Sequence, residues 1–362
     1  MLTAETIRRH NLLGLMKIMR KSGIITNHEL VDITGLTQST LHILLDELTH
    51  NGIVSNVGMF YGANGRPAQR YDFNSDTKYV FGVLLSFEYF EIVLYDLSYN
   101  LIAMEKRGVD VRFISAEDTI GEIMRAVTDI LDENQIARKY VAGIGFNIPG
   151  PVDSKTGTVL DLAHLQQWTC VPLRDIIESR LDTPVFVEKD ACASALGMKW
   201  YAGVPDDSTL AYLSFVEGLG MSLLINNRIY RGQNRMMGEM GHISIDKGGA
   251  LCNCGERGCL ELYASDLSMM ERIASRLENT RRGVLWEECH GDPRNQLTLD
   301  KLKRAALKRD PVALVEMEFT ASHVLQMVQE WIRFQLSIKH LLVFYISCEV
   351  LQKIVESCKI PP

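Results

Sequence analysis

The chain has 362 residues, of which 46% are hydrophobic and 23% charged, and its net charge is -7. This composition is typical of a globular protein with two or three domains, and it excludes a strongly basic chain that coats nucleic acid. No uncharged apolar run reaches about 18 residues, so a membrane-spanning helix is not expected. Because the N-terminus does not resemble a signal peptide and several of the eight cysteines are isolated, we expect a cytoplasmic protein with reduced thiols.

The first 75 residues predict three short helices. Apolar residues at helical spacing indicate an amphipathic helix over about 5–21. Thr26 and the glutamate three residues later form a capping-box pattern that opens a second helix, and Gly35 ends it. Thr37 can cap a third helix that runs to about His50.

The third predicted helix has the pattern of a DNA-reading element. Its apolar stripe consists of Leu41, Leu44, Leu45 and Leu48. Two short strands, 53–57 and 69–73, flank a glycine-rich loop, which is the layout of a winged helix-turn-helix. The alternative is a three-helix packing module without a role at DNA, and the loop favours DNA binding. The predicted DNA contacts are Gln38, Ser39, Thr40, His42 and Arg66.

From residue 79 onward the pattern changes to strands that alternate with helices. Helices are predicted over 116–133, 172–181 and 191–201, and the sequence after Glu261 is largely helical. Mixed strands and helices with loops at the strand ends indicate α/β domains with a cleft.

Residues 238–261, GEMGHISIDKGGALCNCGERGCLE, have the composition of a metal site. His242, Cys252, Cys254 and Cys259 supply one imidazole and three thiols. This set closes a tetrahedron around zinc and leaves no position for a reactive water, so we predict a structural zinc rather than a catalytic one. A disulfide or three unrelated buried cysteines are the alternatives, and a reducing cytoplasm disfavours the disulfide.

The same segment resembles the signature of the ROK family, which contains bacterial repressors and sugar kinases. The stretches GIGFNIPGPVD at 143–153 and VFVEKDACASALG at 185–197 resemble further family motifs. The resemblance implies an N-terminal all-α winged helix-turn-helix at 1–75. It also implies an α/β actin-like (sugar-kinase-like, ribonuclease-H-like) two-lobed domain with a structural zinc loop at 76–362. The repressor branch of the family responds to xylose, N-acetylglucosamine or glucose.

The resemblance also implies a sugar site beside the zinc loop. Glu239 and Glu261 would accept hydrogen bonds from sugar hydroxyls, and His242 would contact both the zinc and the sugar. Asp190 matches the position of the general base in the family's kinases.

Two loops depart from the kinase pattern. The first phosphate loop should read Asp-x-Gly-Gly-Thr, but residues 84–89 read LLSFEY and include Glu88. The second should read Gly-Thr-Gly-x-Gly-Gly, but residues 217–222 read EGLGMS and begin with Glu217. Because phosphate binding needs a close approach of backbone N–H groups and little negative charge, we expect no ATP binding and a vestigial Asp190.

The predicted sugar site also departs from the family at Lys189, where relatives usually have asparagine. A lysine only donates hydrogen bonds, and it can pair with Asp190 or Glu188 instead of a sugar. Lys189 either shifts selectivity toward an acidic or differently substituted sugar or fills the pocket. The sequence from His340 onward lacks the family's Gly-Gly turn, so we expect a shortened or rearranged C-terminal lobe.

These features predict a transcriptional regulator, most simply a repressor of carbohydrate genes. We expect a homodimer or homotetramer that binds operator DNA and responds to a sugar or sugar derivative. The alternatives are a ROK sugar kinase and a regulator that responds to a protein partner instead of a sugar.

Overall fold

The structure is a computed structural model, and it comprises two compact units, Met1–Glu188 and Lys189–Pro362. The residues that it describes are 3–61, 67–75, 77–162, 165–201, 204, 208–215, 218–233, 237–334 and 340–346. Within these ranges no helix has both the length and the apolar composition that crossing a membrane requires.

The N-terminal region of the first unit folds into helices whose ends follow the predicted caps. Its elements are α1 (Ala4–Ser22), β1 (Ile25–Thr26), α2 (Asn27–Thr34), α3 (Gln38–His50), β2 (Val54–Phe60) and β3 (Ala68–Phe73). The Thr26 side chain accepts from the backbone N–H of Glu29, whose carboxylate accepts in return from Thr26, so the predicted capping box is confirmed. Gly35 ends α2 in the left-handed conformation, and Thr37 caps α3.

A small sheet packs with these helices. Its strand order is β1-β3-β2, with both pairings antiparallel. The apolar stripe of α3 is buried with Leu15, Met19 and Tyr71 in one core cluster. The region is therefore helical but not purely so. The two-residue strand β1 was not predicted because it is too short to show an alternating pattern.

The rest of the first unit is built on a five-stranded sheet with order β10-β7-β4-β5-β6. The elements are β4 (Tyr79–Leu85), β5 (Tyr89–Asp96), β6 (Leu101–Gly108), α4 (Ala116–Glu133), β7 (Val141–Ile148), β8 (Val152–Asp153), β9 (Thr158–Val159), α5 (Leu173–Leu181) and β10 (Val185–Lys189). Strand β4 runs parallel to β7 and antiparallel to β5. Helix α4 has the predicted bounds, and its buried apolar face belongs to the same core cluster as the sheet.

The second unit combines a four-stranded sheet with a set of helices. Its elements are α6 (Asp190–Tyr201), β11 (Thr209–Phe215), β12 (Leu219–Ile225), β13 (Arg228–Ile229), α7 (Glu261–Ala264), α8 (Asp266–Thr280), α9 (Val284–Glu288), α10 (Pro293–Gln296), α11 (Leu299–Leu307), α12 (Pro311–Phe334) and β14 (His340–Ile346). The strand order is β13-β12-β11-β14, and β14 runs parallel to β11. The expectation of a rearranged C-terminal lobe rests mainly on residues after 346, which lie outside the described residues.

Candidate metal centre and ligand site

The four predicted metal ligands converge in the loop between β13 and α7. One ligand atom from each of His242, Cys252, Cys254 and Cys259 lies within 4.8 Å of the others. The His242 Nδ1 is 3.7 Å from the Cys252 Sγ, and the Cys254 and Cys259 sulfurs are 3.5 Å apart. All four side chains are thus close enough to share one ion.

Two glycines permit this convergence. Gly258 has a φ of +66°, and a Cβ there would lie 1.7 Å from the backbone oxygen of Asp246. Gly255 has a φ of +94° with open space around it. Both backbone conformations favour glycine. At Gly258 the Asp246 backbone also leaves no space for a side chain. Gly248 and Gly249, in the same loop, do not have positive φ.

The ligand set fits zinc in chemistry and size. Bond lengths of about 2.3 Å to sulfur and about 2.0 Å to nitrogen place neighbouring ligands of a tetrahedral zinc about 3.5–3.8 Å apart. Burial raises the pKa of Cys252 and raises that of Cys259 to about 12, whereas the Glu256 backbone N–H lowers the pKa of Cys254. A cation would compensate for the cost of ionising the two buried thiols.

The predicted sugar contact Glu239 lies just before the short 3-10 turn Met240–His242. Gly238 holds this segment against β12, because Met221 donates its N–H to the Gly238 oxygen at 2.9 Å. The Lys189 ammonium forms an ion pair with the Glu239 carboxylate. Lys189 is 8% exposed, so this is a largely buried charge at the end of β10.

The second predicted sugar contact, Glu261, begins α7. Its Oε2 accepts a hydrogen bond from the backbone N–H of Leu219 at 3.2 Å. The same oxygen lies 3.0 Å from where a Cβ would stand on Gly218 and on Gly241. The carboxylate therefore packs between the start of β12 and the turn that carries His242.

The remaining predicted ligand residues lie in the same unit. Asp190 begins α6, and its Oδ1 accepts from the Ala191 N–H at 2.6 Å. His242 is exposed, and its Nδ1 is the ring atom near Cys252. From the sequence we predicted Asp190 or Glu188 as partners of Lys189, and Glu239 was not predicted. A separation of fifty residues gives no pattern from which this pairing could have been found.

A buried ionic network of α8 and α12 holds α7 in place, and the sequence did not predict it. The Glu316 carboxylate on α12 is 2% exposed and binds Arg272 at 2.8 Å and Arg276 at 2.6 Å on α8. Arg272 also donates to the backbone oxygens of Leu262 and Tyr263 in α7 at 3.0 and 3.1 Å. Through these bonds the network fixes the helix that begins with Glu261.

In the first unit, the segment predicted to replace a phosphate loop is a tight turn between β4 and β5. The Ser86 N–H donates to the Tyr89 oxygen at 2.8 Å. The Glu88 carboxylate projects from this turn and binds Arg112 at 3.0 Å. Glu217, the corresponding departure in the second predicted phosphate loop, lies outside the described residues.

Helix α3 presents a polar surface opposite its buried leucines. Gln38, Ser39 and His42 are exposed, whereas Thr40 is half-buried with its hydroxyl 2.9 Å from the Thr37 hydroxyl. Ile43 is also on this surface and is 64% exposed. Arg66, the predicted wing contact, lies outside the described residues.

Comparison with known proteins gives a family and a fold. The ROK family model matches residues 81–334. A putative xylose repressor from Caldicellulosiruptor sp. (strain Rt8B.4) is 31% identical over 312 residues, which cover 85% of this chain and 76% of the relative.

Two solved structures share the architecture. A ROK family transcriptional regulator, described as a homologue of the E. coli MLC protein, has a TM-score of 0.79 at 22% identity and covers 97% of this chain and 86% of its own. A ROK family glucokinase from Streptomyces griseus, in complex with glucose and AMPPNP, has a TM-score of 0.66 at 24% identity, with 77% of this chain and 88% of its own covered. These likenesses give the actin-like, sugar-kinase-like fold, here with an N-terminal helical region.

Proposed function

The chain belongs to the ROK family, and on that premise we propose that it is a sugar-responsive DNA-binding repressor. The observation that carries the proposal is the capped helix α3, which buries one apolar face and exposes a polar one. A relative that covers most of this chain is named a putative xylose repressor, which supports the function of a sugar-responsive repressor.

We propose that residues 1–75 form a winged helix-turn-helix and that residues 76–362 form the effector domain. Helices α2 and α3 are joined by three residues, 35–37, that include a glycine, as in helix-turn-helix motifs. The N-terminal end of α3 would enter the major groove with Gln38, Ser39, Thr40 and His42, while Arg66 on the wing would contact the backbone or the minor groove. As a homodimer or homotetramer, the protein would read half-sites about one helical turn apart or a multiple of it.

In the effector domain we propose a structural zinc held by His242, Cys252, Cys254 and Cys259. The four ligands complete a tetrahedron, so the ion would fix the loop and activate no water. The ion would keep the turn that carries His242 close to Glu261, since that turn packs against the Glu261 carboxylate. Glu239, His242, Glu261, Asp190 and Lys189 would then line the effector site.

We propose further that the protein does not phosphorylate its sugar. The turn at 86–89 uses the Ser86 N–H for its own hydrogen bond, so this group is not free to bind phosphate. The Leu219 N–H donates to Glu261, and a carboxylate at that position repels phosphate oxygens. Asp190 has the carboxylate of a general base, but without bound ATP it would have no phosphoryl transfer to assist.

The test is selection of DNA sequences by the full-length protein from a random pool, followed by affinity measurement at fixed salt. Gln38→Ala and His42→Ala are expected to weaken binding to the selected sequence about tenfold each, because each would remove a contact to a base edge. Gln296→Ala, which removes an exposed glutamine in the second unit, is the matched control and should bind as the wild type does.

Failure to select any sequence would overturn the proposal of a regulator. The kinase alternative is tested by ATP-dependent phosphorylation of xylose, glucose and N-acetylglucosamine. Turnover that disappears in Asp190→Asn would show a kinase instead. Specific DNA binding that no sugar alters would favour a regulator controlled by a protein partner.

A further inference from the structure

Lys189 forms an ion pair with a residue of the proposed effector site. Its ammonium is largely buried, with a side-chain exposure of 10%, and it donates to the Glu239 carboxylate, which is 24% exposed. Glu239 is one of the two residues proposed to accept hydrogen bonds from a sugar. An ammonium and a sugar hydroxyl are both donors, so each satisfies the same acceptor oxygen.

The other two carboxylates of the proposed site are stabilised by backbone groups. Asp190 accepts from the Ala191 N–H, and Glu261 accepts from the Leu219 N–H.

A neutral sugar that binds Glu239 weakens the ion pair between this carboxylate and the buried Lys189 ammonium. That loss is costly, because a neutral hydroxyl does not replace a carboxylate as the partner of a buried charge. A sugar with an acidic group avoids this cost, because its hydroxyl donates to Glu239 while its anionic oxygens accept from Lys189.

We propose that Lys189 is a specificity-determining residue that disfavours neutral sugars at Glu239 and selects sugars that carry a carboxylate or a phosphate. The inference rests on the proposed function of this site as an effector site. It differs from the sequence-based expectation by naming Glu239 as the group for which lysine and sugar compete.

The experiment is calorimetric titration of the full-length protein with matched neutral and acidic sugars. The neutral probes are xylose, glucose, galactose and N-acetylglucosamine, and the acidic probes are glucuronate, galacturonate and glucose 6-phosphate. The wild type should bind at least one acidic probe about tenfold more tightly than its neutral parent. A preference for glucose 6-phosphate over the uronates would identify phosphate as the acidic group, and the reverse would identify a carboxylate.

Lys189→Asn should reverse this preference, with a gain of about tenfold for a neutral sugar and a loss of similar size for the acidic one. Lys189→Met, which keeps most of the side-chain length without its charge, should raise neutral-sugar affinity as well and serves if the asparagine variant does not fold. Lys199→Asn, which replaces another lysine of the second unit, is the matched control and should bind like the wild type.

The inference is overturned if the wild type binds neutral and acidic sugars equally, or if none of the probes binds the wild type or the Lys189 variants. Titration of operator DNA with the same preparations separates the two proposals. If either of those results is obtained and DNA binding is intact, only the proposed role of Lys189 is refuted. If the wild type shows no specific DNA binding, the proposed function is refuted.

Discussion

Replacing Gly258 with alanine tests whether the loop geometry sets the affinity of the proposed zinc site. The new Cβ would lie 1.7 Å from the Asp246 oxygen, whereas contacts below 3.0 Å are essentially never observed. The Asp246 segment must therefore move. Gly258 is tied to that side of the loop by hydrogen bonds from Ile245 at 2.8 Å and Asp246 at 3.3 Å, and to the other side by its N–H, which donates to Ala250 at 2.8 Å.

The magnitude follows from a comparison with Gly255→Ala. Both glycines have positive φ, so each alanine incurs a strain of about 1–3 kcal/mol, and this contribution largely cancels between the variants. Gly255 has open space around it, so its alanine displaces nothing. The loss of two hydrogen bonds of Gly258 raises the free energy of the loop by a further ~1–3 kcal/mol. Gly258→Ala should therefore bind zinc about 5- to 150-fold more weakly than Gly255→Ala.

The assay is competition for zinc between the reduced protein and a chromophoric chelator. Cys254→Ser, which removes one ligand, defines the loss expected from an incomplete site. Cys170→Ser removes an exposed cysteine outside the cluster and should retain the wild-type affinity. Equal zinc affinities for the two alanine variants would refute the reasoning, because the contact with Asp246 would then have no energetic consequence.

Two further predictions concern stability. Glu316→Gln should lower the free energy of unfolding by about 2–3 kcal/mol in urea titrations, somewhat less than for a fully buried pair, since Arg272 and Arg276 keep part of their solvent contact. Glu318→Gln, an exposed neighbour on α12, should change little, and equal losses would contradict the role of the network. In α2, hydrogen bonds from the Thr26 hydroxyl and backbone N–H lower the pKa of Glu29, so its ionised form stabilises the fold. The stability difference between the wild type and Glu29→Gln should therefore be present above the usual glutamate pKa and disappear as the pH falls through the lowered value. A difference that is independent of pH in thermal unfolding would show that ionisation of Glu29 is not its source.

The N-terminal helices could be predicted almost to the residue because their boundaries depend on local interactions. Thr26 and Glu29 are three residues apart, and Thr37 bonds to the N–H of Thr40 within the same helical turn. Such contacts form between neighbours in the chain whatever the rest of the molecule does. Strand β1, in contrast, exists because Ile25 and Thr26 pair with Tyr71 and Arg70.

The convergence of the metal ligands was likewise predictable, since the three cysteines lie within eight residues and the glycines between them allow the loop to fold back on itself. Which thiols are buried was not predictable, and burial sets the direction of their pKa shifts.

The sequence by itself determined the types of side chain in the candidate site, the capped helices and the spacing of the metal ligands. Only the tertiary structure decided that Lys189 binds Glu239 and that Glu316 holds both arginines of α8. A lysine followed by Asp190 and preceded by Glu188 has several possible partners, and Coulomb attraction alone does not choose among them. The fold decides that Glu239 is a partner, because it buries the Lys189 ammonium against the Glu239 carboxylate just before the turn that carries His242.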